Sequence, residues 1–428
     1  MSSISHNKPL YPIVIAHYLL AGLFFFSLTI MVFFTLQSLS GHYFQPKVLA
    51  ITHAAALGWG TMIIFGALYQ LLPVILEVPL YSTKLSWVSF VLFVPGIMLL
   101  VYCFWIFDPG IGIQIASVLI FSAIMSFNVN VFFTLRFRKQ ESIFQEFIIT
   151  ACVWLTITAL LGVLMVFNFR YPFLQKDHLY YLRLHAHMGI VGWFLMLIIG
   201  VSAKLIPMFL VATYQEKKLL SLSYYFINAA LLSFLVSGFL HGIGFDTYVI
   251  VLIGAIGIAF YLTYLFNCFV SRMRKDVDLP MVKTLLSFVF LAAAIVVLPF
   301  ILYYHLQQHP FAVNMSMLYG MLIFMGWISA LALGQTFKTL PFIVWLKHYE
   351  KVTGKVKTPV PADLLNNLLL NIQFFAFLTF VAAFIVGFLF DSLLLKLMGS
   401  LSLCITALTY CLQVIFLLLH KTKTEPYD

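Results

Sequence analysis

The sequence predicts an all-α polytopic membrane protein with twelve transmembrane helices in three pseudo-repeats of four helices each. Three observations carry this. Of 428 residues, 63% are hydrophobic and 9% charged, with a mean hydropathy of +1.05, which is more apolar surface than a soluble core can absorb. The apolar residues fall into twelve runs of about 20 or more, the length needed to cross a hydrocarbon layer of about 30 Å. A Gly-Trp pair returns in the second, sixth and tenth runs at a fixed offset of 134 residues.

The first pseudo-repeat, about 8–140, holds spans at about 10–36, 47–76, 85–107 and 110–137. Its first run is too long for the core of a signal peptide and lacks a small-residue cleavage site, so it reads as a retained span. The second pseudo-repeat, about 141–275, holds spans at about 143–169, 182–211, 219–243 and 246–271. The third, about 276–428, holds spans at about 281–305, 314–346, 367–390 and 393–420. The chain 1–428 is therefore expected to be a single membrane domain. Its one sizeable polar segment is the basic loop at about 347–366, KHYEKVTGKVKTPVPADLLN, which reads as a solvated cytoplasmic linker.

The formal charge of +10 resembles a nucleic-acid signal only until the charges are placed. Most lie in alternate connections: Arg136, Arg138 and Lys139; Lys217 and Lys218; Arg272, Arg274 and Lys275; Lys347, Lys351, Lys355 and Lys357. The other connections hold few, namely Lys47, Arg170, Lys176, Arg183 and Lys396. By the positive-inside rule both termini face the cytoplasm, and no nucleic-acid partner is implied. The lipid bilayer is the partner this composition requires, and a bacterial inner membrane is the expected location. Cys103, Cys152, Cys268, Cys404 and Cys411 all lie inside apolar runs, and no C-x-x-C-H motif is present. Neither a disulfide framework nor covalent haem attachment is expected.

The repeat extends beyond the tryptophans. The 134-residue offset relates Trp59 to Trp193 and Trp327, Gly58 to Gly192 and Gly326, Gly66 to Gly200 and Gly334, and Pro73 to Pro207 and Pro341. Lys204 and Lys338 also coincide, with Gln70 as their first counterpart. Spans 2, 6 and 10 are thus equivalent, running from outside to inside in three units related by rotation about the membrane normal. The glycines are expected to allow close helix approach. The prolines are expected to close each helix near the cytoplasmic face. Lys204 and Lys338 are expected to snorkel to the interface.

Histidines supply the chemical signal. His42, His53, His178, His185, His187, His241, His305 and His309 fall in outer loops or outer portions of spans, and His6, His17, His348 and His420 toward the inner side. His53, His185 and His187 sit within apolar stretches, where ionisable residues are costly and tend to mark function. His53 and His187 share one repeat position, whose third member is Met321. Histidine and methionine are both axial ligands of haem iron. In the HAH of positions 185 to 187 the two imidazoles stand about 200° apart around a helix. They cannot chelate one metal from one face. Arg183, just outward, is placed to pair with a haem propionate or to sit at the interface.

These residues resemble a family. Twelve spans, cytoplasmic termini, threefold pseudo-repeats and outer-half histidines are similar to the large subunit of haem–copper oxidases and nitric-oxide reductases. HAHMGIVGW looks like that family's H-x-H helix, especially the version in the microaerobic oxidases. HAAALGWGTMIIFGALYQLLP is similar to the same motif without its first histidine. The chain also resembles the NnrS-type membrane proteins, linked to haem, copper and nitric-oxide response. It departs from the oxidase pattern in specific ways. The H-x-H lies on span six where the family has it on span ten, and span ten carries Met321. The family's copper needs a histidine on span six and a His-His pair on span seven. Here span seven has only His241, and no His-His occurs. A copper site needs about three imidazoles, and His241, with His305 and His17, is what remains for one. The cross-linked tyrosine has no counterpart.

The resemblance implies a haem b protein that handles electrons or a diatomic gas such as nitric oxide, with a degenerate copper site. An electron-donor protein or quinol is the implied partner, and oxidoreductase chemistry of the oxidase or nitric-oxide reductase type the implied activity. Two ligand geometries stay open. His53 and His187 form a bis-histidine haem between spans 2 and 6; or His187 pairs with Met321, and His185 holds a second haem with an open position. Two other functions also stay open: a transporter or channel without redox chemistry, as internal repeats often form, and an assembly subunit without cofactors.

Overall fold

The structure is a computed structural model that describes residues 10–138 and 141–422, so His6 and Lys139 lie outside the described residues. The protein is an all-α polytopic membrane protein, 81% helical and without strands among the described residues. Twelve helices are long and apolar enough to span a membrane. They are α1 Tyr11–Phe34, α2 Pro46–Leu76, α3 Thr83–Ile106, α4 Ile111–Arg136, α5 Ile143–Asn168 and α6 His178–Leu210. The remainder are α7 Lys218–Leu240, α8 Asp246–Val270, α9 Leu279–Leu306, α10 Phe311–Tyr349, α11 Asn367–Leu389 and α12 Leu393–Leu418. Large side chains such as Leu232, Phe266, Val289 and Phe375 are exposed on these helices, as a lipid-facing surface requires.

The chain forms two compact units. One comprises Leu71–Val277 with Ile295–Ala312; the other comprises the described residues up to Gln70, Asp278–Ala294 and the chain from Val313. In the first, α3 and α4 form one hairpin and α7 and α8 another, with α5 and α6 packed between α4 and the α7–α8 pair. In the second, α11 and α12 form the corresponding hairpin, and α12 packs on α1 and α10. The short connections at 107–110, 241–245 and 390–392 enforce antiparallel neighbours. The third and fourth spans of every pseudo-repeat therefore adopt the same hairpin.

The second span of each pseudo-repeat is its most buried. The apolar windows of α2, α6 and α10 are 67%, 78% and 72% buried, against 28% in α7 and α8. Their glycines explain how. A Cβ on Gly58 would lie 2.8 Å from the Phe24 ring, on Gly192 2.6 Å from Trp154, and on Gly326 3.2 Å from Phe290. The next glycines do the same one level on: Gly66 meets His17, Gly200 meets Phe147, and Gly334 meets Thr284. Each second span is thus drawn against the first span of its own repeat by two hydrogen-for-side-chain contacts.

Two expectations are corrected and one is refined. Pro73, Pro207 and Pro341 lie inside their helices, which continue to Leu76, Leu210 and Tyr349. A proline loses one backbone hydrogen bond, and near a helix end the neighbouring turns carry that cost. Lys338 does not snorkel; it forms an ion pair with Asp278 on the approach to α9, whereas Lys204 is exposed. The segment after Tyr349 is largely exposed, as a solvated linker is, and is also anchored at two points. Trp345 donates its indole N–H to the Pro359 carbonyl at 2.6 Å, and a short helical turn at Pro361–Leu364 buries Leu364.

Candidate functional site: three π-helical turns and their histidines

The structure adds a feature at the repeat position that carries the candidate ligands. In α2, α6 and α10 the backbone widens into π-helix over Ala54–Thr61, Met188–Leu195 and Leu322–Ile328. Each segment starts on the residue after His53, His187 or Met321. The closing i→i−5 bonds are Met62 N–H to Leu57 O and Met196 N–H to Val191 O, at equivalent residues, and Ser329 N–H to Phe324 O, one residue earlier in the third repeat. A π turn wastes space and bonds poorly unless something requires it, and such turns gather at functional sites. Three at one repeat position cannot be attributed to a local accident of sequence.

The tryptophan of each segment is buried. Trp59 stacks on Phe25 at 4.3 Å and meets Tyr410 edge-on at 5.1 Å. Its indole N–H reaches the Ser329 hydroxyl at 2.9 Å, tying the π turn of α2 to the end of the π turn of α10. Ser329 in turn donates to Phe324 O at 2.8 Å, adding to the backbone bond at the same carbonyl. Trp327 is equally buried, yet its indole nitrogen meets no acceptor.

His53 and His187 are set identically. The Nδ1 of His53 donates to Leu49 O at 2.8 Å, and that of His187 to Arg183 O at 2.8 Å, each one turn back on its own helix. A carbonyl can only accept, so the proton is on Nδ1 and Nε2 is the nitrogen with a coordinating lone pair. Metal-binding histidines are commonly held in this way. Met321 is buried at the corresponding place on α10. The second unit contains His53 and Met321 on the packed helices α2 and α10, and the first contains Arg183, His185, His187 and His241.

The two histidines of the HAH face different helices. His185 turns to α5, where its Nδ1 donates to Thr158 O at 3.0 Å and a Cβ on Gly162 would stand 3.1 Å from its Cε1. His187 turns to α7, with its ring 4.7 Å from that of Phe234. The carbonyl of Arg183 serves His187. His241 caps the end of α7 and is exposed, as is His305. His178 stacks on Phe169 at 4.3 Å. Among the described residues, no group of three or more His, Cys, Asp or Glu side chains comes together that could hold a metal ion. A haem iron takes one or two axial residues, and a histidine held through Nδ1 is suited to be one of them.

The sequence singles out the repeat position of His53, His187 and Met321 but not the π turns beside it, because no side-chain pattern distinguishes an i→i−5 turn from an i→i−4 turn. It does not single out buried Lys283 of α9 either. No protein-family model matches the chain, and no curated protein matches it either.

Proposed function

We propose that this chain is a haem-binding membrane protein whose axial ligands are drawn from His53, His187 and Met321, and that it handles electrons or a diatomic gas. The observation that supports this most is the coincidence of the π turns with that repeat position, two of whose members are histidines held through Nδ1. Haem, when bound, supplies the redox-active iron and the site for a gas. The chain's own contribution is to fix the imidazole tautomer, to widen the helix beside it, and to surround it with apolar side chains that limit water. His185, held on α5 and turned away from His187, belongs to a separate contact and is the residue for a second haem or for a polar link to the first. Arg183 is the residue for a propionate. The termini and the Lys347–Lys357 segment face the cytoplasm in this account, as the basic connections direct. The test is an optical spectrum of protein purified from a haem-replete host. A sharp Soret band is expected, and colourless protein overturns the reading.

A further inference from the structure

The glycine contacts fix a register that no single sequence offset reveals. Gly58, Gly192 and Gly326 sit over Phe24, Trp154 and Phe290; Gly66, Gly200 and Gly334 sit near the carbonyls of Val14, Phe144 and Pro280. Ten residues separate the two contacts on α1, α5 and α9 alike. Three residues after each carbonyl stand His17, Phe147 and Lys283. All three are buried, at 0%, 0% and 1% exposure. One repeat position thus holds an aromatic hydrocarbon once and a buried ionisable group twice.

Lys283 is the sharper case. Its Nζ donates to the Gln373 amide oxygen at 2.5 Å and to Leu370 O at 3.4 Å, both on α11 and both neutral. From α10 it faces the ring of Phe337, 6.0 Å away. The charged groups of this corner, Asp278 and Lys338, are paired with each other, and the Asp278 side chain is 32% exposed. Beside Lys283, Thr284 accepts from Gln335 at 2.9 Å; Thr339 donates to Gln335 O at 2.9 Å and bonds the Tyr18 hydroxyl at 3.0 Å. Lys283 thus lies in a corner of α9, α10 and α11 that also holds buried polar side chains and, at the start of α9, one part-exposed carboxylate. A lysine only one turn into its helix has a stem long enough to reach water. This one is instead turned inward onto oxygens that stabilise an ammonium without fixing its charge. Ionisable residues kept within a span at such cost mark proton or ion sites.

We propose that Lys283 is a proton-exchange site, its ammonium releasing a proton to water at the start of α9 and the neutral amine taking one back from water there. The proposal goes beyond haem binding and does not depend on it. The test uses the full chain in nanodiscs of zwitterionic lipid, melted between pH 5 and 9, as wild type, Lys283→Met and Lys283→Arg. Arginine keeps a fixed charge and can still donate hydrogen bonds, so it separates titration from folding. The expected result is a wild-type Tm that tracks Lys283→Arg at one end of the range and departs from it at the other, by on the order of 2 °C or more. Wild type and Lys283→Arg running parallel at every pH overturns the proposal. If Lys283→Met does not fold, the other pair still decides the question.

Discussion

Trp59 donates its indole N–H to the hydroxyl of Ser329, 2.9 Å away and 270 residues along the chain. The bond joins the first pseudo-repeat to the third at the level where both helices are π-wound. It gives a direct comparison with Trp327, the repeat counterpart, whose N–H is buried without an acceptor.

Replacing either tryptophan by phenylalanine removes similar ring volume, but only Trp59→Phe breaks a hydrogen bond. Trp59→Phe should destabilise more than Trp327→Phe, by about 1 kcal/mol. Ser329→Ala, which strands a buried donor, should cost about 1–3 kcal/mol. Thermal or denaturant melts in detergent check the order. Equal losses for the two tryptophans contradict the assigned partner.

The glycines of the second spans should differ by the room around them. Gly192→Ala places a methyl 2.6 Å from Trp154, and overpacking of that kind costs about 1–3 kcal/mol. Gly326→Ala, with 3.2 Å to Phe290, should cost less. Gly320→Ala meets nothing within 4 Å and should be neutral or slightly stabilising, because alanine favours the helix. Gly192→Ala and Gly326→Ala share a π-wound setting and one chemical change, so their ranking in Tm isolates the packing, with Gly320→Ala as the α-helical reference.

Asn130 of α4 holds the start of α3. Its amide nitrogen donates to Ser82 O at 2.7 Å and to the Ser86 hydroxyl at 3.1 Å, and its oxygen accepts from Ser82 N–H at 3.0 Å. Asn130→Leu fills most of the volume but strands the backbone groups of Ser82, and should destabilise by about 2 kcal/mol or more. Hydrogen exchange should rise first at residues 81–86. Uniform loosening of the whole chain contradicts a local clamp.

Much of this architecture was legible. The ends of α2, α5, α8 and α11 fall within one residue of the apolar runs, because only a helix lets a chain cross lipid with its backbone satisfied. Gly58, Gly192 and Gly326 could be aligned because spans 2, 6 and 10 repeat without gaps. The matching rows on α1, α5 and α9 could not. Trp154 follows Phe24 by 130 residues, and Phe290 follows Trp154 by 136, since the stretches joining first and second spans, helix ends and loop together, differ in length. The equivalence of His17 and Lys283 was hidden for that reason. The Lys338 pair was missed because Asp278 reads as a loop residue, and the fold after Tyr349 because it depends on one indole hydrogen bond.

The central claim is that the position shared by His53, His187 and Met321 carries haem iron. The most direct measurement is a reduced-minus-oxidised spectrum with a pyridine haemochrome assay on purified wild type, His53→Ala, His187→Ala and His185→Ala, each confirmed folded by its melt. Wild type should contain haem b, and His187→Ala, His53→Ala or both should lose most of the low-spin signal. His185→Ala should retain it. Haem content unchanged in both His53→Ala and His187→Ala, or absent from wild type, contradicts the account.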